Sequence, residues 1–124
     1  MPIFYQIDAT RRIVEARGEG VILIQDIIDY FDAVVVQGGL PYPKLIDARG
    51  TDFNINDEEM MVLGARVSAY AQFGPRGPIA IVVDTQGGHD FSRRFANLGG
   101  ARRPLKIFRS IDDARTWLQT APTL

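Results

Sequence analysis

Apolar and polar positions along this chain follow two rhythms, one of period two and one of period near four. Phe4 to Asp8 and Arg12 to Arg17 alternate as half-buried strands do, which leaves Ala9-Thr10 as the expected turn of a two-residue hairpin. Gly18 and Gly20 then release the chain. Ile24, Ile27, Ile28, Phe31, Val34 and Val35 recur at three- and four-residue steps, which predicts a helix that Gly38-Gly39 stops. Pro41 and Pro43 keep the next segment extended, Leu45-Ile46 are the consecutive apolar residues of a strand covered on both faces, and Asp47 marks its polar end. Lys44 to Asp47 is therefore the expected central strand, with Gly50 ending it and a loop running to Asn56.

Asn56 is the expected cap of a second helix, because Asp57, Glu58 and Glu59 then fall at the positive end of its dipole. Met60, Leu63, Gly64, Val67 and Ala71 form its stripe, and Gly74-Pro75 ends it. Pro78 to Asp84 is a continuous, largely β-branched run, the pattern of a buried parallel strand. Thr85 to His89 reads as a flexible connection. Asp90 is then the expected N-cap of a short helix carrying Phe91, Phe95 and Leu98 and ended by Gly99-Gly100. Leu105 to Phe108 makes a last strand, and Ser110 with Asp113 resembles a capping box. Ala114, Trp117 and Leu118 are the apolar edge of the final helix, so Trp117 is expected to be largely buried. A hairpin whose second strand opens four strand-helix units predicts an α/β fold with a mainly parallel central sheet. With 124 residues and no linker, residues 1–124 are expected to form one domain.

Composition changes this picture little. Hydrophobic residues make up 46% and charged residues 23%, the values of ordinary globular domains, which excludes disordered and fibrous classes. The apolar runs, Gly20 to Ile24 among them, are too short to cross a bilayer, and the N-terminus lacks a secretory pattern, so a cytoplasmic location is expected. Without Cys there is no disulfide, thiolate nucleophile or thiolate metal site. A net charge of -1 provides no field for nucleic acid. The distribution is uneven, however. Asp26, Asp29, Asp32, Asp47, Asp52, Asp57, Glu58 and Glu59 crowd the first half, and Arg93, Arg94, Arg102, Arg103, Lys106, Arg109 and Arg115 the last third. The basic group is either a solvated surface of mixed sign or a patch that receives an acidic partner. Asp26, Asp29 and Asp32 are most simply solvent-facing, since steps of three with no His nearby make a poor metal site.

His89 is the only histidine, set in a Gly-rich stretch beside Asp90, Ser92 and Arg93. General-base catalysis there needs a nucleophile and an orienting acid in fixed geometry, and Ser92, inside a helix, is not placed to provide the first. Gly87-Gly88 fits neither a phosphate-binding loop nor a dinucleotide fingerprint, so no cofactor is expected. Position is the stronger guide. Ligands of open parallel sheets gather at the C-terminal strand ends, which here carry Asp47 and Arg49, Asp84 and Thr85, and Arg109 and Ser110. The candidate rim is thus Asp47, Arg49, Asp84, Gly87, Gly88, His89 and Arg93, with Arg49, His89 and Arg93 expected close together. The competing account is that Asp47 and Arg49 simply pair with each other.

The order of elements resembles the SpoIIAA-like group, to which the STAS domains of anti-sigma-factor antagonists and sulfate transporters belong, and most closely its small stand-alone bacterial STAS/SEC14-like members. The likeness covers nearly the whole chain and rests on Gly20 to Asp26, Lys44 to Arg49, Ile79 to Asp84 with the following glycines and Arg93, and Ile107 to Leu118. Antagonist STAS domains carry Asp-Ser-Ser-Gly, with a phosphorylated Ser, at the start of the helix after the central strand; here that stretch reads Ile55-Asn-Asp-Glu-Glu59. The hydroxyl is missing, so the resemblance does not bring the phosphorylation switch with it, and Thr51 is the nearest substitute. What the resemblance implies is a non-enzymatic regulatory or binding module that takes a protein partner or a small anionic or apolar ligand, as monomer or homodimer, without metal or membrane span. The alternatives are a small hydrolase-type enzyme using His89 with Asp84 and Arg93, and a carrier of lipid or another apolar ligand, which would need an apolar cavity.

Overall fold

Strand β4 (Lys44–Asp47) is the middle strand of a five-stranded sheet in the order β1-β2-β4-β6-β7, where β1 is Ile3–Asp8, β2 Ile13–Gly18, β6 Ile79–Val82 and β7 Leu105–Phe108. The computed structural model describes residues 2–98 and 103–123. Only β1 runs antiparallel; β2, β4, β6 and β7 are parallel to one another. The helices are α1 (Ile24–Val36), α2 (Asp57–Ala69), α3 (Gln86–Asn97) and α4 (Ile111–Leu118), with a short 3-10 turn, Tyr70–Phe73, after α2. This is the mixed α/β fold with a mainly parallel sheet that the two rhythms predict.

Alternation along the inner strands divides the core between the two faces of the sheet. Ile79 and Ile81 join the larger cluster, with Ile27, Phe31, Leu63, Val67, Phe91 and Phe95 from α1, α2 and α3. Leu45, Ala80 and Val82 point the other way, against Ala114 and Leu118 of α4. Phe91 and Phe95 lie one helical turn apart, so they share a face and extend an aromatic run from Phe53, stacked on Phe91 at 4.2 Å between ring centroids, to Phe31, 5.9 Å from Phe95.

Several local expectations are corrected. Register pairs Asp8 with Ile13, so the hairpin loop is four residues long rather than two. Ala9-Thr10 lacks the left-handed preference of a two-residue turn, and the positive φ falls on Arg12, at 58°, while Asp8 Oδ1 accepts from the Arg11 N–H at 2.9 Å. The segments read as release and loop also pair: β3 (Gly20–Ile22) and β5 (Thr51–Phe53) form a separate two-stranded parallel sheet. Asp26 accepts from the Leu23 N–H at 2.9 Å and caps α1, and Asp32 binds Arg66 and the Tyr70 hydroxyl, so neither is a merely solvated acid. The expected stop at Gly99-Gly100, like Arg102, lies outside the described residues.

Caps at the other helices follow the sequence. Asn56 accepts from the Glu59 N–H at 2.8 Å, and Glu59 in return accepts from the Asn56 N–H at 3.1 Å. Ser110 accepts from the Asp113 N–H, starting α4. Trp117 departs from expectation, because α4 is only eight residues long and seats Ala114 and Leu118 in the core. The indole is left partly buried at the edge, tilted 51° against Phe108 at 5.8 Å. Trp117→Ala is accordingly expected to cost about 2 kcal/mol, less than a fully buried aromatic, with acrylamide quenching of the native fluorescence intermediate between a free and a buried indole. Quenching as weak as that of a sealed core would place the ring deeper than the structure does.

Candidate functional site

Asp47, Val82 and Phe108 are in register across β4, β6 and β7, so the three strands end together and their loops share one edge. Asp84 ties two of those loops, its Oδ1 accepting from the Gly50 N–H at 2.9 Å. Beyond it, Asp84, Thr85, Gln86, His89, Arg93 and Arg109 line a cleft of about 220 Å³. Three of the sequence candidates, Asp84, His89 and Arg93, are therefore brought together.

Arg49 is not among the residues that line this cleft. Its Nε and Nη2 donate to the two carboxylate oxygens of Asp47 at 2.9 Å each, and its backbone N–H donates to Asp47 Oδ1 at 3.1 Å. A guanidinium held in this two-bond grip has little reach for another anion. The Arg49 side chain is also the main reason that the Asp47 carboxyl is held below the usual carboxylate range. Asp47 itself faces a different groove, shared with Glu15, Arg17 and Arg115. Arg109 takes the second cationic place in the cleft that Arg49 was expected to fill.

Gly87 and Gly88 belong to the first turn of α3 rather than to a flexible connection. Thr85, not Asp90, is the N-cap: its Oγ1 accepts from the Gly88 N–H at 2.9 Å. Asp90 lies inside the helix and accepts from Gln86 Nε2 at 2.8 Å. Thr85 outcompetes Asp90 because a cap there lets Gly88 pack against Val83, just past the end of β6, where a Cβ would stand 3.3 Å from Val83 Cγ1. The early start turns the positive end of α3 toward the cleft. Ser92 is fully buried and donates to the Gly88 carbonyl at 2.8 Å, which withdraws its hydroxyl from any reaction in the cleft.

The basic last third does not form one patch. Arg94 binds Asp57, Arg115 binds Glu15, and Arg103 is buried. Arg93 and Arg109 are the members that reach the cleft. Thr51 is buried too, donating to the Ala48 carbonyl, and is no accessible substitute for the missing serine. An apolar cavity of about 60 Å³ lies between the sheet and helices α1 and α3, lined by Ile22, Phe31, Ile46, Phe53, Phe91 and Phe95 among others. Among the described residues, no helix is long and apolar enough to cross a membrane, and no group of three His, Asp or Glu is placed to hold a metal.

Gln86 carries no signal of its own in the sequence, where Thr85 to His89 reads as a connection, and Arg109, expected at a strand end but outside the candidate rim, reaches the cleft because β7 lies beside β6. No protein-family model, curated protein or solved structure matches the chain.

Proposed function

We propose that this chain is a non-enzymatic, STAS-like cytoplasmic binding module that holds an anionic ligand, or an acidic segment of a protein partner, in the cleft at the ends of β6 and β7. The observation that carries this reading is the meeting of Arg93, Arg109 and His89 with the N-terminal turn of α3 around one volume of about 220 Å³. Two guanidinium groups and a helix N-terminus favour a carboxylate or phosphate over an apolar group. Asp84 lines the same volume, yet one of its oxygens is engaged with the Gly50 N–H and its charge orders the loops. Among the described residues, Arg93 and Arg109 have no salt-bridge partner, which leaves both for a ligand.

Native mass spectrometry of the protein from its own host is expected to show added mass on the wild type, lost in the double variant Arg93→Glu, Arg109→Glu with the circular dichroism spectrum unchanged. Both side chains are exposed, so reversal should leave the fold intact. Retention of the same mass by the variant would move the binding surface elsewhere, and the Asp47 groove is the next place to look.

One observation favours a second reading, a hydrolase-type enzyme, since Asp84, His89 and Arg93 line the same cleft. It is the weaker one because Ser92 is buried and Thr85 Oγ1 serves as the helix cap. An ester probe cleaved by the wild type and spared by His89→Ala would raise it above the first. The carrier reading has an apolar cavity to point to, but about 60 Å³ is well below the roughly 150 Å³ that admits a benzene-sized guest.

A further inference from the structure

At the opposite end of the sheet three cations are buried together: Lys44, Arg76 and Arg103 are 1%, 5% and 3% exposed. Their neighbourhood is fixed by hydrogen bonds around one pair of loops. The Leu40 carbonyl accepts from both Lys44 Nζ and the Gly77 N–H, while the Gly77 carbonyl accepts from Arg103 Nη1 at 3.2 Å. Arg76 is the residue before Gly77. Tyr30 of α1 and Tyr70 of the 3-10 turn face Arg103 from the helix side, and both are buried. The carboxylate nearest in this network is Asp32, already bound by Arg66 and the Tyr70 hydroxyl.

Among the described residues, several donors here have no acceptor: Arg76 Nη1, Arg103 Nε and Nη2, and the Tyr30 hydroxyl. Leaving such groups unpaired in the interior is costly, and buried polar atoms are nearly always satisfied. The identity of the Arg103 atoms is informative. Nε and Nη2 form one edge of the guanidinium, the edge by which Arg49 and Arg66 each grip both oxygens of an aspartate in this same protein. In Arg103 that edge is buried and faces no described carboxylate.

We propose that the Arg103 Nε/Nη2 edge, with Arg76 Nη1 and the Tyr30 hydroxyl, is an internal binding site for a compact oxyanion that presents two oxygens to the guanidinium. Such an anion satisfies the four donors and neutralises a cluster that otherwise repels itself. Burial, and then the charge of Arg103, press the Lys44 ammonium toward its neutral form, so an anion beside them restores the proton and binding is coupled to proton uptake. Entry requires local opening, because the donors are almost wholly covered. The site is separate from the strand-end cleft and does not depend on its function.

Sulfate is a suitable probe, being tetrahedral and doubly charged across the pH range of interest. Thermal unfolding of the full chain in chloride buffer of matched ionic strength is expected to show a saturable rise in midpoint with sulfate, roughly 10 °C at 100 times its Kd. Calorimetry in buffers of different ionisation enthalpy should report proton uptake at pH 8. Arg103→Met should abolish the saturable rise, whereas Arg93→Glu, Arg109→Glu should keep it, which distinguishes this site from the cleft. Should Arg103→Met fail to fold, Lys44→Met decides, since it is expected to bind sulfate still but without proton uptake. Acetate acting more strongly than sulfate identifies a carboxylate source for the natural anion, and the reverse an inorganic one. A midpoint that climbs without saturating is the general effect of an excluded salt and overturns the proposal, as does a saturable rise that Lys44→Met leaves with its proton uptake intact.

Discussion

Replacing Gly77 by alanine is expected to destabilise the domain by about 4 kcal/mol or more, a large part of the roughly 5 to 15 kcal/mol that holds a domain folded. A Cβ on Gly77 would lie 2.0 Å from the Tyr42 carbonyl oxygen, 2.4 Å from its carbon and 2.8 Å from the Pro41 oxygen. All three are backbone atoms, so no rotamer change relieves the clash. Nor can the Pro41-Tyr42 segment swing aside cheaply. The Gly77 N–H donates to Leu40 at 2.9 Å, Tyr42 to Gly39 at 3.0 Å, and Lys44 to Pro78 at 2.8 Å, and these bonds align the entries of β4 and β6. Moving the segment breaks them and disturbs the two central strands at once, which is why the cost exceeds the 1 to 3 kcal/mol typical of overpacking (about the range for one added methylene in a core). Gly87→Ala is the control. No atom stands within 4 Å of its Cβ, and inside the first turn of α3 alanine is favoured by roughly 0.5 to 1 kcal/mol. Urea midpoints that fall together in the two variants would show that helical and steric context do not separate them as argued.

Most of the fold was legible because its signals are local. Ile79 to Val82 could be nothing but a doubly covered strand, and Asn56 with Glu59 three residues on is a cap written in sequence. What escaped is set by partners far along the chain. The three-residue strands β3 and β5 have no period of their own and exist only because Gly20 to Ile22 meets Thr51 to Phe53. Thr85 prevailed over Asp90 as a cap for a nearer reason, since Gly88 packs against Val83 five residues back only once the chain turns from β6 into α3. The site was read in part for the same reason. Asp84, His89 and Arg93 are near in sequence and share the cleft, whereas Arg49 found a local carboxylate, Asp47, before it could reach them. The internal cations left one trace: Lys44 stands between Pro43 and the apolar pair Leu45-Ile46, a charge at the head of a strand expected to be buried on both faces.

Lys44 should make stability depend on pH in a direction opposite to that of a surface ion pair. Burial, followed by the charge of Arg103, lowers its pKa from 10.5 to about 6. Between those values the unfolded chain holds a proton that the folded chain lacks, so the unfolded state binds more protons and stability rises with pH. The contribution is complete above the unfolded value of 10.5 and is lost progressively as pH falls toward about 6. Arg103, whose pKa burial lowers to about 10, and Tyr70, raised to about 12 chiefly by burial, add their own slopes at the alkaline end. The clean window is therefore pH 7 to 9. Across it the wild type in chloride buffer is expected to gain on the order of 2 kcal/mol relative to Lys44→Met, from about 1.4 kcal/mol per unit as the upper limit. The variant should be the more stable protein at pH 7, because methionine keeps the aliphatic length and removes the ionisable group, while the Leu40 carbonyl retains the Gly77 N–H as donor. Sulfate bound beside the cluster should flatten the wild-type slope, since an anion favours the charged ammonium. Parallel stability curves for wild type and Lys44→Met between pH 7 and 9 in chloride would mean that Lys44 keeps its proton in the fold, and with it that the cluster is better solvated than its burial implies.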